Sequence, residues 1–346
     1  MAVSTIDPNG LNVGQLGGTR NVVINGEMMI DQRNGGSSTT PTANDTYTLD
    51  RWAAELAISS KYSVQQSSDA PSGFKNSMLI TSLSSYSLTA NDFYMMQYRV
   101  EGFDAARFNW GSSNAKNATL SFWVKSSLTG TFGGAFENSA NNRAYAFSYT
   151  INSANTWEYK TITVSGDQTG TWLTTNGIGI RLRFALGVGS TYSGTGGVWG
   201  STRYFSVTGA TSVVSTSGAT WQLAGVQLEV GDTATDFEYE SYGTTLQKCL
   251  RYYEVVDLYE MVSTYIGSGK NQHYLTLFYK ETKRASPTIG SVSIGNYQPG
   301  GGSGTAQLEG NALSTHCRVA TGSTNSSIPV QIINSPSANM TIDAEL

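Results

Sequence analysis

Side chains suited to covalent or proton chemistry are few in this sequence, which has 2 histidines and 2 cysteines in 346 residues. His316 directly precedes Cys317 in an alternating run. Neighbours on a strand point to opposite faces, so this pair cannot form a nucleophile–base dyad. His273 falls on another alternating run. Neither cysteine, Cys249 or Cys317, sits in a CxxC or Cys/His spacing, and both read as buried free thiols. No pair of carboxylates is spaced to set an acid against a base across a glycosidic bond. Asp50-Arg51, and Asp31 with Arg33, read instead as structural ion pairs at strand ends. The Gly-rich runs do not join a strand to a helix, so no phosphate cradle is indicated. The chain reads as a non-enzyme.

The aromatic residues have a clearer use. Sugars present apolar C–H faces that pack on rings, while their hydroxyls pair with Asn, Gln, Asp and Arg in a shallow groove. Aromatics in loops rather than on alternating strands are the candidates: Trp110, Trp172, Tyr192, Trp199 and Tyr297. The competing role for these five is capping or an oligomer interface. Trp52, Trp123, Trp157 and Trp221 lie in strand patterns and read as core.

Something must position those loops, and composition says what. Only 13% of residues are charged, glycine is abundant at 38 residues, and 19 Tyr and 7 Trp accompany many Ser, Thr and Asn. This describes an all-β chain with many turns. Alternating segments recur at Phe93–Val100, Ala118–Ser126, Ala144–Ile151, Glu158–Val164, Gly179–Leu186 and Trp221–Leu228, at intervals that suit a β-sandwich. Asn21–Asn25 and Glu27–Gln32 read as strands around an Asn-Gly turn. Asp50–Ile58 admits a short helix, although its surroundings are strand-like. Tyr242–Tyr253 is the one convincing helix, with Leu246, Cys249, Leu250 and Tyr253 on one face. Strands near Tyr252–Asp257, His273–Tyr279, Thr288–Ile294, Gly304–Glu309, His316–Ala320 and Ala338–Glu345 follow it. The resulting division is an arm (1–20), a sandwich (21–241), a linking helix (242–253) and a C-terminal β-domain (254–346). The net charge of -4 gives no basic footprint for nucleic acid. No apolar run suits a secretory signal or a membrane span, which implies synthesis in a cytoplasm.

Several stretches, taken in order, resemble one family. They are Asn21–Arg33 (NVVINGEMMIDQR), Tyr47–Trp52 (YTLDRW), Leu120–Gly130, Asn155–Thr163, Gly166–Trp172, Val226–Gly231 (VQLEVG), Phe237-Glu238, Cys249–Tyr253 (CLRYY), Lys283–Thr288 and Thr341–Leu346. Together they resemble the virion fibre proteins of tailed bacteriophages that carry a carbohydrate-binding-module-like jelly roll. Asn34 stands where glycine is usual, and the long shaft of a full-length fibre is missing.

The resemblance implies a jelly-roll β-sandwich, a short linking helix and a smaller C-terminal β-sandwich. It implies a structural protein on the virion surface, a tail fibre or fibre tip, with capsid decoration as the alternative and a glycan-cleaving tailspike third. A homotrimer is implied, docking on other virion proteins through residues 1–20 and contacting host surface polysaccharide. Related jelly rolls often hold one structural calcium, which here points to Asp31 and Glu229, although no DxDxDG-type loop is present. No other cofactor is expected.

Overall fold

The computed structural model describes residues 19–257, 262–265, 272–290, 293–294, 297–298, 304–308, 316–322, 330–332 and 339–346. Most of the expected arm lies outside them. The chain forms two compact units. The first holds the chain up to Met29, Gly36–Thr48 and Trp52–Glu240; the second holds Ile30–Gly35, Leu49–Arg51 and Ser241–Leu346.

In the first unit the strands are β1 (Thr46–Tyr47), β2 (Trp52–Leu56), β3 (Tyr62–Ser67), β4 (Ser77–Ser82), β5 (Phe93–Glu101), β6 (Ala118–Ser126), β7 (Gly130–Glu137), β8 (Ala144–Ile151), β9 (Glu158–Val164) and β10 (Ile178–Val188). They are followed by β11 (Ser193–Gly194), β12 (Trp199–Gly200), β13 (Ser206–Val207) and β14 (Thr220–Val230). One seven-stranded sheet runs β1-β2-β5-β10-β7-β8-β12, and a five-stranded sheet runs β3-β4-β14-β6-β9. The chain passes repeatedly from one sheet to the other, as a jelly roll requires. Rings from the two inner faces meet between the sheets. Phe184 of β10 lies 5.1 Å from Phe122 of β6 and 5.8 Å from Trp221 of β14. Trp52 and Trp221 are fully buried, as their strand patterns indicate.

Asp50–Ile58 contributes the strand β2 and no helix. The expected strands at Asn21–Asn25 and Glu27–Gln32 are absent, and the chain turns at Ile24–Glu27. At Asn21–Val23 the Asn21 side chain takes hydrogen bonds that a ladder neighbour would otherwise use, beside the backbone bonds from the Val22 amide to the Leu228 carbonyl (3.0 Å) and from the Val226 amide to the Gly26 carbonyl (3.0 Å). Asn21 Nδ2 donates to the Val226 carbonyl (3.0 Å), and its Oδ1 accepts from the amides of Leu228 (3.0 Å) and Val23 (2.9 Å).

The second unit opens with helix α1 (Tyr242–Leu250), capped where Ser241 Oγ accepts from the Thr244 amide (3.2 Å). It stops short of the expected Tyr253 because that residue joins a ladder, opposite Asp343. Its buried face carries Thr245, Cys249 and Leu250. Cys249 is a free, buried thiol, whereas the side chain of Cys317 lies outside the described residues. Tyr253–Asp257 pairs with Asn339–Asp343, which also pairs with Thr288–Ile289. A second sheet contains Gln272–Phe278 and His316–Gly322, the strands that carry the two histidines.

Four of the motifs that carry the family resemblance converge within this unit. Arg33 lies 3.3 Å from Asp343 and 3.5 Å from Glu345, and stacks on Tyr253 at 3.5 Å. Arg51 pairs with Glu345 and stacks on Tyr252 at 3.5 Å. Asp50 accepts from the Gln32 amide (2.7 Å) and from Gln32 Nε2 (2.6 Å). Burial pushes the Asp50 carboxyl above its ordinary value, and the Arg33 charge only partly offsets this. The predicted partners of these arginines are therefore corrected in part: the carboxylates come largely from the C-terminal Thr341–Leu346 segment.

Candidate functional site

A broad open concavity of the first unit lies on the outer face of the five-stranded sheet. Its volume is about 1010 Å³, at the upper end of the ~300–1,000 Å³ of small-molecule sites. The floor follows from strand alternation. On β6 the even residues Leu120, Phe122 and Val124 face the core, so Thr119, Ser121 and Trp123 face outward. On β9 Tyr159, Thr161 and Thr163 do the same, directly opposite Trp123, Ser121 and Thr119. The rings of Trp123 and Tyr159 are 5.3 Å apart, and Tyr159 is 44% exposed. From Trp123 to Thr119 the floor extends roughly 14 Å, at ~3.4 Å per residue.

One wall is aromatic. Phe74, Phe237 and Tyr239 form a triad with centroid separations of 5.0, 5.4 and 5.1 Å, and Tyr239 is 58% exposed. A bulge in β14 makes room for it. Ala224 pairs with Trp123 and Gln227 with Ser121, so two residues of β14 oppose one of β6. Gly225 takes φ +58°, and a Cβ there would come within 2.6 Å of the Phe74 ring. Only glycine meets both conditions.

The rest of the wall is the loop Asp232–Asp236, which doubles back over β14. Glu229 and Gln227, both fully buried, hold it down. Glu229 Oε1 accepts from the Thr235 amide (2.9 Å) and Gln227 Nε2 (2.9 Å), and Oε2 accepts from Thr235 Oγ1 (2.8 Å). The Glu238 amide donates to Gln227 Oε1 (2.9 Å). The carboxylate assigned to calcium by resemblance is thus occupied with a loop. Asp31, in the second unit, accepts from the Asn34 amide (3.0 Å) and closes a turn. Among the described residues, no group of three or more His, Cys, Asp or Glu is arranged to hold a metal.

Beyond Trp123, outside the cavity lining, Lys125 pairs with Asp69 and lies 5.1 Å from the Trp157 ring. Trp157 Nε1 and Gln222 Nε2 donate to Asp69 at 3.3 and 3.2 Å. The Lys125 hydrogen bond leads the contacts that hold the Asp69 carboxyl below the usual range. Trp123 and Trp157 are therefore surface residues of the outer face, not the core residues their strand patterns suggest.

The loop aromatics are distributed differently. Trp110, Trp172 and Trp199 come together at one end of the sandwich, with centroids 4.8, 5.1 and 5.4 Å apart. Trp110 and Trp172 are buried, and all three indole N–H groups donate within the fold. The acceptors are the Lys116 carbonyl (2.8 Å), Asp167 Oδ2 (3.1 Å) and the Ser165 carbonyl (2.7 Å). Tyr192 lies elsewhere, stacked on Phe205 at 4.8 Å. The side chain of Tyr297 lies outside the described residues, on the short strand Tyr297–Gln298.

The outer face of the seven-stranded sheet is occupied by the chain itself. Arg183 pairs with Glu55 (2.7 Å) and with Glu137, which also binds Arg203. Phe205 lies over both guanidinium groups at 4.7 and 5.0 Å. Burial favours a neutral Glu137, but Arg183 and Arg203 outweigh it and hold the carboxyl below its usual range. A smaller cleft of about 540 Å³, lined by Tyr145, Ser148, Ile162 and the Gly194–Gly197 loop, adjoins this region.

No family model matches the chain, and no curated protein matches its sequence. Among solved structures it is similar to the enzymatically active domain of bacteriophage CBA120 tailspike protein 4, at 13% identity and a TM-score of 0.34. That match covers 61% of this chain and 21% of the tailspike chain. It is also similar to a family 11 carbohydrate-binding module from Clostridium thermocellum in complex with a β-1,3-1,4-mixed-linked tetrasaccharide (13% identity, TM-score 0.30, 57% of this chain and 98% of that one). A third is the module TmCBM61 in complex with β-1,4-galactotriose (10% identity, TM-score 0.31, 62% and 100%). The fold assignment rests on the strand order above and not on these likenesses.

Proposed function

We propose that this chain is a non-enzymatic, glycan-binding structural protein, and that the trough on its five-stranded sheet holds the glycan. The observation that carries this reading is the trough itself. Phe74, Phe237 and Tyr239 wall a floor of Trp123, Tyr159, Thr161 and Thr163, with two aspartates at the rim; the Thr163 hydroxyl donates to the Asp232 carbonyl (3.2 Å) and can still accept. Rings supply platforms for the C–H faces of sugars, and hydroxyls and carboxylates pair with sugar hydroxyls. The setting is a virion surface, as a tail fibre or fibre tip assembled as a homotrimer. Support for the setting is the ordered resemblance of Asn21–Leu346 to phage fibre proteins. Residues 1–20 serve as the arm toward other virion proteins.

Trp123→Ala and Tyr159→Ala test the glycan reading, because Tyr159 is nearly half exposed and Trp123 lies outside the core. Each should weaken binding to host surface polysaccharide about tenfold, equivalent to ~1.4 kcal/mol, with little change in melting temperature. Unchanged binding in both variants removes the trough from the proposal.

A further inference from the structure

Resting on the reading of the trough as a glycan site, we infer that it selects uncharged glycans and rejects acidic polysaccharides. The lining holds Asp232 and Asp236 and, among the described residues, no lysine or arginine. Both aspartates belong to exposed positions of the loop that forms the wall. Asp232 Oδ1 also accepts from Asn117 Nδ2, which fixes that carboxylate beside the Thr119/Thr163 end of the floor.

Of the cations nearby, Lys125 and Arg20 are already engaged, while Lys75 and Lys116 are exposed and stand outside the lining. Lys125, two residues beyond Trp123, is held by Asp69 and sits against Trp157. Arg20 donates to Thr235 Oγ1 (2.9 Å) and to the Asp236 carbonyl (3.2 Å), and lies 3.8 Å from Glu238. Its charge is spent on the back of the loop. A uronate or other acidic sugar on the floor therefore meets two like charges and no counter-charge in the lining. At an approach of ~6 Å in water each carboxylate disfavours a second one by about threefold, so the two together give roughly tenfold. The effect is screened by salt. The same carboxylates accept hydrogen bonds from neutral sugar hydroxyls, so they help one class of glycan while excluding the other.

The test is an array of oligosaccharides matched in length and linkage, neutral and uronate, read with the full chain at 20 mM and 500 mM salt. The wild type, the double variant Asp232→Asn/Asp236→Asn and Trp123→Ala are compared. The expected result is binding to neutral members, with their uronate counterparts several-fold and up to about tenfold weaker at low salt. That gap should shrink both at high salt and in the double variant. Uronates bound as well as or better than neutral partners, in a Trp123-dependent way, overturn this inference and leave the glycan site standing. A gap that ignores salt and the double variant also overturns it, since discrimination is then not by these charges. Binding to no glycan, or binding that Trp123→Ala leaves intact, removes the glycan reading of the trough and this inference with it.

Discussion

Replacing Glu229 by alanine separates two roles for a carboxylate that resemblance assigns to calcium. The side chain is fully buried and accepts three hydrogen bonds, from the Thr235 amide, Thr235 Oγ1 and Gln227 Nε2, at 2.8–2.9 Å. A hydrogen bond to a charged group nets about 1.5–3 kcal/mol, and leaving a buried donor unpaired costs about 1–3 kcal/mol. Thr235 Oγ1 and the Thr235 carbonyl remain as alternatives for Gln227 Nε2, at 3.2 and 3.4 Å. Water can also reach the half-buried loop. The expected loss is therefore nearer one interaction than three, about 3 kcal/mol in total. It should be confined to the first unit, since every one of these contacts lies there. Urea unfolding measures the loss, and hydrogen exchange should show amides 232–238 opening while β6 and β9 stay protected. Glycan binding should fall with the loop, and calcium or chelator should leave both wild type and variant unchanged. A variant within 0.5 kcal/mol of wild type, or a wild type that chelator destabilises by as much as the substitution does, refutes the scaffold role.

Gly225→Ala places a side chain at φ +58° and against the Phe74 ring. About 1–2 kcal/mol of stability should be lost, and glycan affinity should fall with it because the aromatic wall moves; binding assayed at a temperature where the variant is fully folded checks this. Trp172→Ala should cost about 3 kcal/mol by thermal or urea unfolding, with adsorption unchanged once folded, because that ring caps the sandwich beside Trp110 and Trp199. Glu137 has a folded pKa below its unfolded one, so its contribution is present above about pH 4.5 and is lost as pH falls through the folded value. Glu158, held at about 2 against the burial that would raise it, by Lys160 and the amides of Ser153 and Asn152, acts in the same direction. Melting temperature should therefore drop between pH 5 and 3, and Glu137→Gln should make that slope shallower.

Alternation in the sequence located β5, β6, β8, β9, β10 and β14, because each packs one face on the core and breaks at Gly, Asn or Ser, but it did not mark β7 (Gly130–Glu137). Alternation names two faces without saying which is inside. Phe122-Trp123-Val124 is apolar on both faces, so Trp123 reads as core when only its own strand is considered. The signal that would have found it lies across the ladder, where β9 alternates Tyr159, Thr161 and Thr163 against Lys160, Ile162 and Val164. The wall was less legible still. It joins Phe74, from a loop before β4, to Phe237 and Tyr239, more than 160 positions later, across a one-residue bulge at Gly225 that no local pattern marks. Trp110, Trp172 and Trp199, all expected in loops, do come together, although Trp199 lies on the short strand β12 opposite Tyr145. Their indole N–H groups find internal acceptors, a property of the fold that loop position alone does not reveal. The Asp-Arg-Trp and Tyr-Tyr motifs carried the resemblance, and what they build is the Arg33, Arg51 and Glu345 ion cluster of the second unit.

The most direct test of the glycan trough is a crystal structure of the protein soaked with a neutral oligosaccharide that it binds in solution. A sugar ring should lie over Trp123 and Tyr159, with its hydroxyls within hydrogen-bond distance of Thr161 or Thr163 and the chain running toward the Phe74, Phe237 and Tyr239 wall. Sugar bound at the Tyr145 and Gly194–Gly197 cleft or on the Trp199 end, with the trough empty, would contradict the account.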